Sequence, residues 1–178
     1  MMKLLAPFGL VLASAALLAV APGGGNEGRD FRADLSGDEE VPPVDTATTG
    51  KLRVRFADDF SSATIRFDLD DAERITQAHF HCGEEGVNGP VIIFLAGFHD
   101  RGWDIDGRWL DNVTITDQNI VNTSCGSTLR EVAEAMKDGR IYVNAHSVAH
   151  PSGEVRGQVH DDDDDDHHGD DHGDDDDD

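Results

Sequence analysis

The segment Ala78-His79-Phe80-His81-Cys82-Gly83 sets two imidazoles one residue apart in an otherwise apolar run. Alternate side chains of a β-strand share a face. A strand over 75–82 therefore puts Gln77, His79 and His81 on one side and Ala78, Phe80 and Cys82 on the other. The apolar set reads as core-facing and the imidazole set as wet. Two rings on one strand face, with alpha carbons roughly 6–7 Å apart, suit two corners of one tetrahedral or square-planar metal site. A third imidazole comes from IYVNAHSVAHPSGEVRGQV, where Ile141, Val143 and Ala145 alternate inward and Tyr142, Asn144 and His146 outward. If this strand lies beside the first, His146 joins His79 and His81. His150 follows in the loop that turns at Pro151-Ser152-Gly153 and is the fourth candidate ligand. Borderline nitrogen donors favour Cu or Zn over Mg or Ca. The competing reading needs no metal: a half-buried strand alternates polar residues on its wet face, and histidines there hydrogen-bond their neighbours.

Glu154 and Arg156 alternate with Val155 close after these histidines. They read either as groups that orient an outward imidazole through its second ring nitrogen, or as a cross-strand ion pair on the sheet surface. Cys82 and Cys125 are the only cysteines. Cys82 faces away from His81, and an even count in a chain that leaves the cytosol favours one disulfide over metal ligation.

The elements that must position these residues are short and alternating. Phe31, Ala33 and Leu35, then Leu52, Val54 and Phe56, then Ala63, Ile65, Phe67 and Leu69 repeat with period two around charged neighbours, which predicts strands with one buried face. Further strands are expected over 75–82, 91–95, 109–115, 141–147 and 154–159. Pro42 and Pro43 exclude a central strand between the first two. Leu129, Val132, Ala133 and Met136 follow a helical period, Thr128 and Glu131 fit a capping box, and Gly139 stands past the end. A weaker helical turn is expected after Thr116. Eight short strands with one or two helical inserts predict an all-β fold, an antiparallel Greek-key sandwich or barrel.

Residues 1–25 read as an export signal: Lys3 is followed by an uncharged, Leu- and Ala-rich run over 4–21. A retained anchor is the alternative, because such a run also just spans a bilayer. Residues 26–159 make one domain, and 160–178 an Asp- and His-rich tail expected to be disordered. That tail would either solvate the protein or catch cations weakly through His160, His167, His168, His172 and its aspartates. The net charge is −23, and the last 18 residues supply 13 of the negative charges and no base, leaving −10 on the rest. Such acidity excludes nucleic acid and anionic membrane as partners. No nucleophile elbow, activated cysteine or phosphate loop is present, so hydrolase or transferase chemistry has no visible machinery and the chain reads as a binder rather than an enzyme.

The run AHFHCGEEGVNGPVIIFL and the later GRIYVNAHSVAHPSGEVRGQV resemble the chordin-type (CHRD) domain, whose hallmarks are AHIH-G-x-x-G-x-NGP and a closing YVNVHT-x-x-x-P-x-GEIRGQ. FRADLSGDEEVPPVDTATTG is similar to that family's opening segment, F-x-A-x-L-x-G-x-x-E-VPPV. Three segments in order cover the whole of the expected domain, with Ala145 in place of Val and Ser147 in place of Thr as departures. The resemblance, closest to stand-alone microbial members, implies a secreted or periplasmic location and a β-sandwich. It also implies an extracellular protein ligand, as for the family's animal namesake, and a pairing of Cys82 with Cys125. HxH with a later His on a sandwich also resembles the copper site of copper-zinc superoxide dismutases. A bridging histidine, a zinc loop and a guiding arginine would then be needed, for which only His99, His150 and Arg156 stand as loose candidates. The readings carried forward are a metal-binding secreted domain, a dismutase-like copper enzyme and a metal-free interaction module.

Overall fold

Ala63–Cys82 form one strand where the alternation predicts two. The computed structural model describes residues 29–162, so the export signal at 1–25 and the tail beyond 162 lie outside the described residues. In chain order the strands are β1 (Asp30–Leu35), β2 (Thr49–Phe56), β3 (Ala63–Cys82), β4 (Val91–Ala96), β5 (Trp103–Ile115), β6 (Ile141–Ser147), β7 (Val155–Gln158) and β8 (His160–Asp161). A 3-10 turn (Asp117–Asn119) and one helix, α1 (Leu129–Lys137), lie between β5 and β6.

The long β3 is continuous because its polar middle, Asp70-Asp71-Ala72-Glu73-Arg74, bends without leaving the sheet. Asp71 and Arg74 take φ of 52° and 51°, and the register against β5 shifts on both sides of Ala72. Bulges of this kind turn a strand and break its alternation, which is why the sequence pattern divides there. The first half of β3 pairs with β2 and β5, and the second half with β6 and β4.

All strand pairs are antiparallel, in the order β7-β6-β3-β2-β1-β8. The outer edge of β1 closes the sheet: Ser36 bridges Arg156, Arg32 faces His160 and Phe31 faces Asp161, all steps of one register. β7 and β8 thus run along β1 as one path, and the eight strands form a nearly closed sheet. The fold is all-β, as the alternation predicts. Its interior holds Phe31, Leu52, Ile65, Phe67, Ile75 and Phe80, each 1% exposed or less. Helix α1 contributes Leu129, Val132, Ala133 and Met136 to the same core. The Thr128 side chain accepts from the Glu131 amide in the expected capping box. Cys82 and Cys125 form a disulfide with 5.5 Å between alpha carbons, tying the end of β3 to the loop before α1.

Two boundaries differ from expectation. β5 starts at Trp103 rather than near 109, because this half-exposed strand pairs only with β3 and carries no clean alternation to read. The expectation that nothing beyond His160 is buried is also corrected. Asp161 is 6% exposed and pairs with Phe31, because the open edge of β1 offers backbone donors and acceptors that a chain of any composition can meet.

Candidate metal centre

β6 lies against the second half of β3 with His79 opposite Asn144, His81 opposite Tyr142 and Gln77 opposite His146. The alternation places His79 and His81 on the face away from Phe80, as expected. That face is not wet, however. His79, His146 and His81 are only 3%, 6% and 8% exposed, and every residue of β6 and β7 is buried. The correction has a physical cause: the polar face is roofed by Phe94 of β4 and by the segments 37–48 and 83–90.

Arg156 holds that roof. Its guanidinium donates to the carbonyls of Glu84 and Val87 at 3.0 and 3.1 Å and to Asn88 Oδ1 at 3.2 Å. Asn88 donates in turn to the Val41 carbonyl at 2.8 Å, joining the two covering segments. The same guanidinium sits 3.5 Å over the Tyr142 ring, and Tyr142 stacks on His81 with centroids 4.7 Å apart. Phe94 meets His79 edge-on at 4.7 Å. At Gly89 a Cβ would lie 1.7 Å from the Cys82 carbonyl oxygen, so no side chain fits where the loop folds back on the strand end.

Within this enclosure one ligand nitrogen from each of His79, His81 and His146 lies within 4.8 Å of the others. The Nδ1 of His146 is 3.1 Å from the Pro151 carbonyl and the Nδ1 of His81 is 2.9 Å from the Gly89 carbonyl. A carbonyl only accepts, so the Nδ1 of His81 carries the hydrogen and that ring presents a bare Nε2, whereas His146 meets an acceptor oxygen at each nitrogen, Pro151 O at Nδ1 and Asn144 Oδ1 at Nε2. The Nε2 of His81 and of His79 are buried without a hydrogen-bond partner. His79 Nδ1 is 3.1 Å from His146 Nε2, and Asn144 Oδ1 lies 3.1 Å from that same nitrogen. Two nitrogens each about 2.0–2.1 Å from one ion lie roughly 2.9–3.4 Å apart, so the spacing suits a shared ion. Burial pushes the His79 pKa down to about 3, with the neighbouring His146 and His81 adding to it. Burial also lowers His81 and His146, against the carbonyl bonds that favour their charged forms. All three imidazoles are therefore neutral at pH 7, the protonation state in which imidazole ligates a metal.

The remaining candidates sit elsewhere. His150 does not join the group; its side chain is 38% exposed and its Nε2 lies 3.8 Å from Glu154 Oε2. Glu154 is buried and accepts from Thr46, from Ser147 at 2.6 Å and from Thr48 at 3.3 Å, touching none of the three clustered rings. Neither reading of Glu154 and Arg156 survives as stated: the rings are oriented by the Gly89 and Pro151 carbonyls, and both charged residues are buried rather than paired on the surface. Arg156 reaches His81 through Tyr142 and the covering loop, and its charge adds to burial in lowering the His81 pKa. His99 stacks on Trp103 at 4.4 Å, outside the cluster.

Sequence reasoning missed Glu40, whose carboxyl is 6% exposed with Oε1 unpartnered. Burial raises its pKa to about 7, against the opposing influence of the Asn144 side chain and Arg156. It occupies space that a Cβ at Gly153 would fill, 2.2 Å away. Glu40 is the glutamate of the EVPPV segment, a signal visible as pattern but without a physical role until β6 was seen beneath it.

An eight-stranded antiparallel sheet with three buried, neutral imidazoles, one ring nitrogen of each within 4.8 Å of the others, defines an all-β module with a buried histidine cluster. The chain belongs to the CHRD domain family, whose model matches residues 31–159. No curated protein and no solved structure matches the chain. CHRD domains are extracellular modules, and no helix among the described residues is long and apolar enough to cross a membrane.

Proposed function

We propose that this CHRD domain is an exported binding protein that holds a Cu or Zn ion through His79, His81 and His146. The observation that carries the reading is the convergence of three buried rings: the Gly89 carbonyl takes the Nδ1 hydrogen of His81, the Nε2 atoms of His79 and His81 are buried without a partner, and a nitrogen of His146 lies within 4.8 Å of the ligand nitrogens of both. Ligating histidines characteristically donate their second N–H in this way. The chemistry of the donor set, three imidazoles without a carboxylate among them, suits Cu or Zn. Holding the ion rather than turning over a substrate follows from the roof, which leaves each ring under one-tenth exposed. A protein ligand outside the cell is the partner class that the family suggests.

The test is metal content and spectroscopy of the full chain beside the variant H79A/H81A/H146A. The expected result is one more equivalent of Cu or Zn in the wild type, with nitrogen superhyperfine structure from three imidazoles in the Cu(II) resonance. Equal uptake by both proteins would assign all binding to the Asp- and His-rich segment and remove the proposal.

A further inference from the structure

Asn144 of β6 stands directly opposite His79 of β3 and shares its strand face with His146, two positions on. It is 3% exposed, and its Oδ1 lies 3.1 Å from His146 Nε2. Two neighbours show which end of the amide meets the rings. Burial lowers the His81 pKa, and the Asn144 side chain works against that by favouring the charged ring, as an amide oxygen does. Burial raises Glu40, and Asn144 works against that as well, as an amide N–H does toward a carboxylate. Nδ2 is therefore engaged at Glu40, and Oδ1 is turned into the cluster.

The oxygen so placed leaves His146 with more acceptors than it has hydrogens. A neutral imidazole carries one ring hydrogen, yet the Pro151 carbonyl lies 3.1 Å from Nδ1 and Asn144 Oδ1 lies 3.1 Å from Nε2. Whichever nitrogen holds the hydrogen, the lone pair of the other faces an oxygen. Buried away from water, such a contact is costly. A cation between Nε2 and Oδ1 turns the repulsion into two bonds. A nitrogen about 2.0–2.1 Å and an oxygen about 2.0–2.2 Å from one ion stand roughly 2.9–3.5 Å apart, a range that includes the observed separation.

We infer that Asn144 Oδ1 is the fourth ligand of the ion held by His79, His81 and His146, closing its coordination with three nitrogens and one oxygen. The inference rests on the histidine reading above and adds what fills the remaining position. A catalytic site leaves water or substrate there; here a protein amide takes the place. An amide oxygen serves as a weak donor beside stronger ligands on copper. The ion is then fully enclosed by protein atoms, beneath a roof that leaves Asn144 as buried as the rings.

The test uses the full chain grown with asparagine that carries a magnetic carbon isotope at the side-chain carbonyl. It is loaded with one equivalent of Cu(II), and electron–nuclear double resonance is read at the three-imidazole signal. The wild type should show one strongly coupled carbon and no coordinated water. N144A should lose the carbon coupling, gain a coordinated water and bind Cu(II) about 10–100-fold more weakly, the loss that even an outer partner of a ligand brings. N144D, which keeps an oxygen at the same place, should stay free of coordinated water, and so separates ligation from a general loosening of the site. A three-imidazole signal without carbon coupling in the wild type overturns the inference and leaves the histidine reading standing. A coordinated water present equally in the wild type and N144A does the same. A wild type with no three-imidazole signal overturns both.

Discussion

The Nδ1 of His79 lies 3.1 Å from the Nε2 of His146, a ring from the second half of β3 against a ring from β6, 67 residues apart in the chain. Two neutral imidazoles at this separation satisfy each other with one hydrogen and leave further lone pairs turned inward. The enclosure is therefore held by the protein's own contacts, and its behaviour without metal is as informative as its behaviour with it.

Metal should stabilise the folded state in proportion to its occupancy, since the unfolded chain scatters the three rings. With Zn at about 100 times its dissociation constant the expected gain is about 2.7 kcal/mol. Thermal unfolding of the full chain with and without Zn measures it, and H146A should show no comparable rise.

The disulfide should be the largest single covalent contribution to stability. It joins residues 43 apart, for which the loop-entropy model gives about 4 kcal/mol. Urea unfolding of C82S/C125S checks the figure. Because Cys82 directly follows His81, the same variant should also bind metal more weakly.

Gly89 should tolerate no side chain. The substitution G89A forces a methyl against the Cys82 carbonyl, and overpacking of this kind costs about 1–3 kcal/mol. The displaced loop also carries the carbonyl that accepts from His81. Urea midpoints and Zn affinity should fall together in G89A, in contrast to an exposed loop substitution such as G97A, where no atom lies within reach of the added carbon.

Opposing titrations should shape the stability of the metal-free protein. His79, lowered from 6.5 to about 3 when folded, takes up its proton first in the unfolded chain, so its contribution is complete above pH 6.5 and is lost as pH falls toward 3. Glu40, raised from 4.5 to about 7, keeps its proton longer in the folded chain, so its contribution is lost as pH rises from 4.5 through 7. Between pH 5 and 6.5 the two trends oppose each other. In E40Q only the histidine trend remains, and urea midpoints measured in a chelator should climb more steeply with pH than in the wild type.

The sheet was largely legible because Phe31, Ala33, Leu35 and their counterparts in β2 and β3 alternate cleanly. Where a single face is buried, the pattern and the strand coincide. It failed at Asp71 to Arg74, where a bend replaces alternation, and at His160 and Asp161, where backbone pairing ignores composition. The three histidines were legible as a group from their spacing. Their surroundings were not: no period in the sequence says that segments 37–48 and 83–90 fold over β6, so the burial of His79 and the role of Gly89, Pro151 and Glu40 emerge only from the assembled chain.

The Pro151 carbonyl that fixes His146 comes after both strands of the cluster in the order of synthesis. A nascent chain halted before that residue has every imidazole yet lacks the acceptor that sets the last one, and lacks Arg156, which fastens the cover. The enclosure around the three rings is thereby completed by the chain that follows β6, not by the strands that carry the imidazoles.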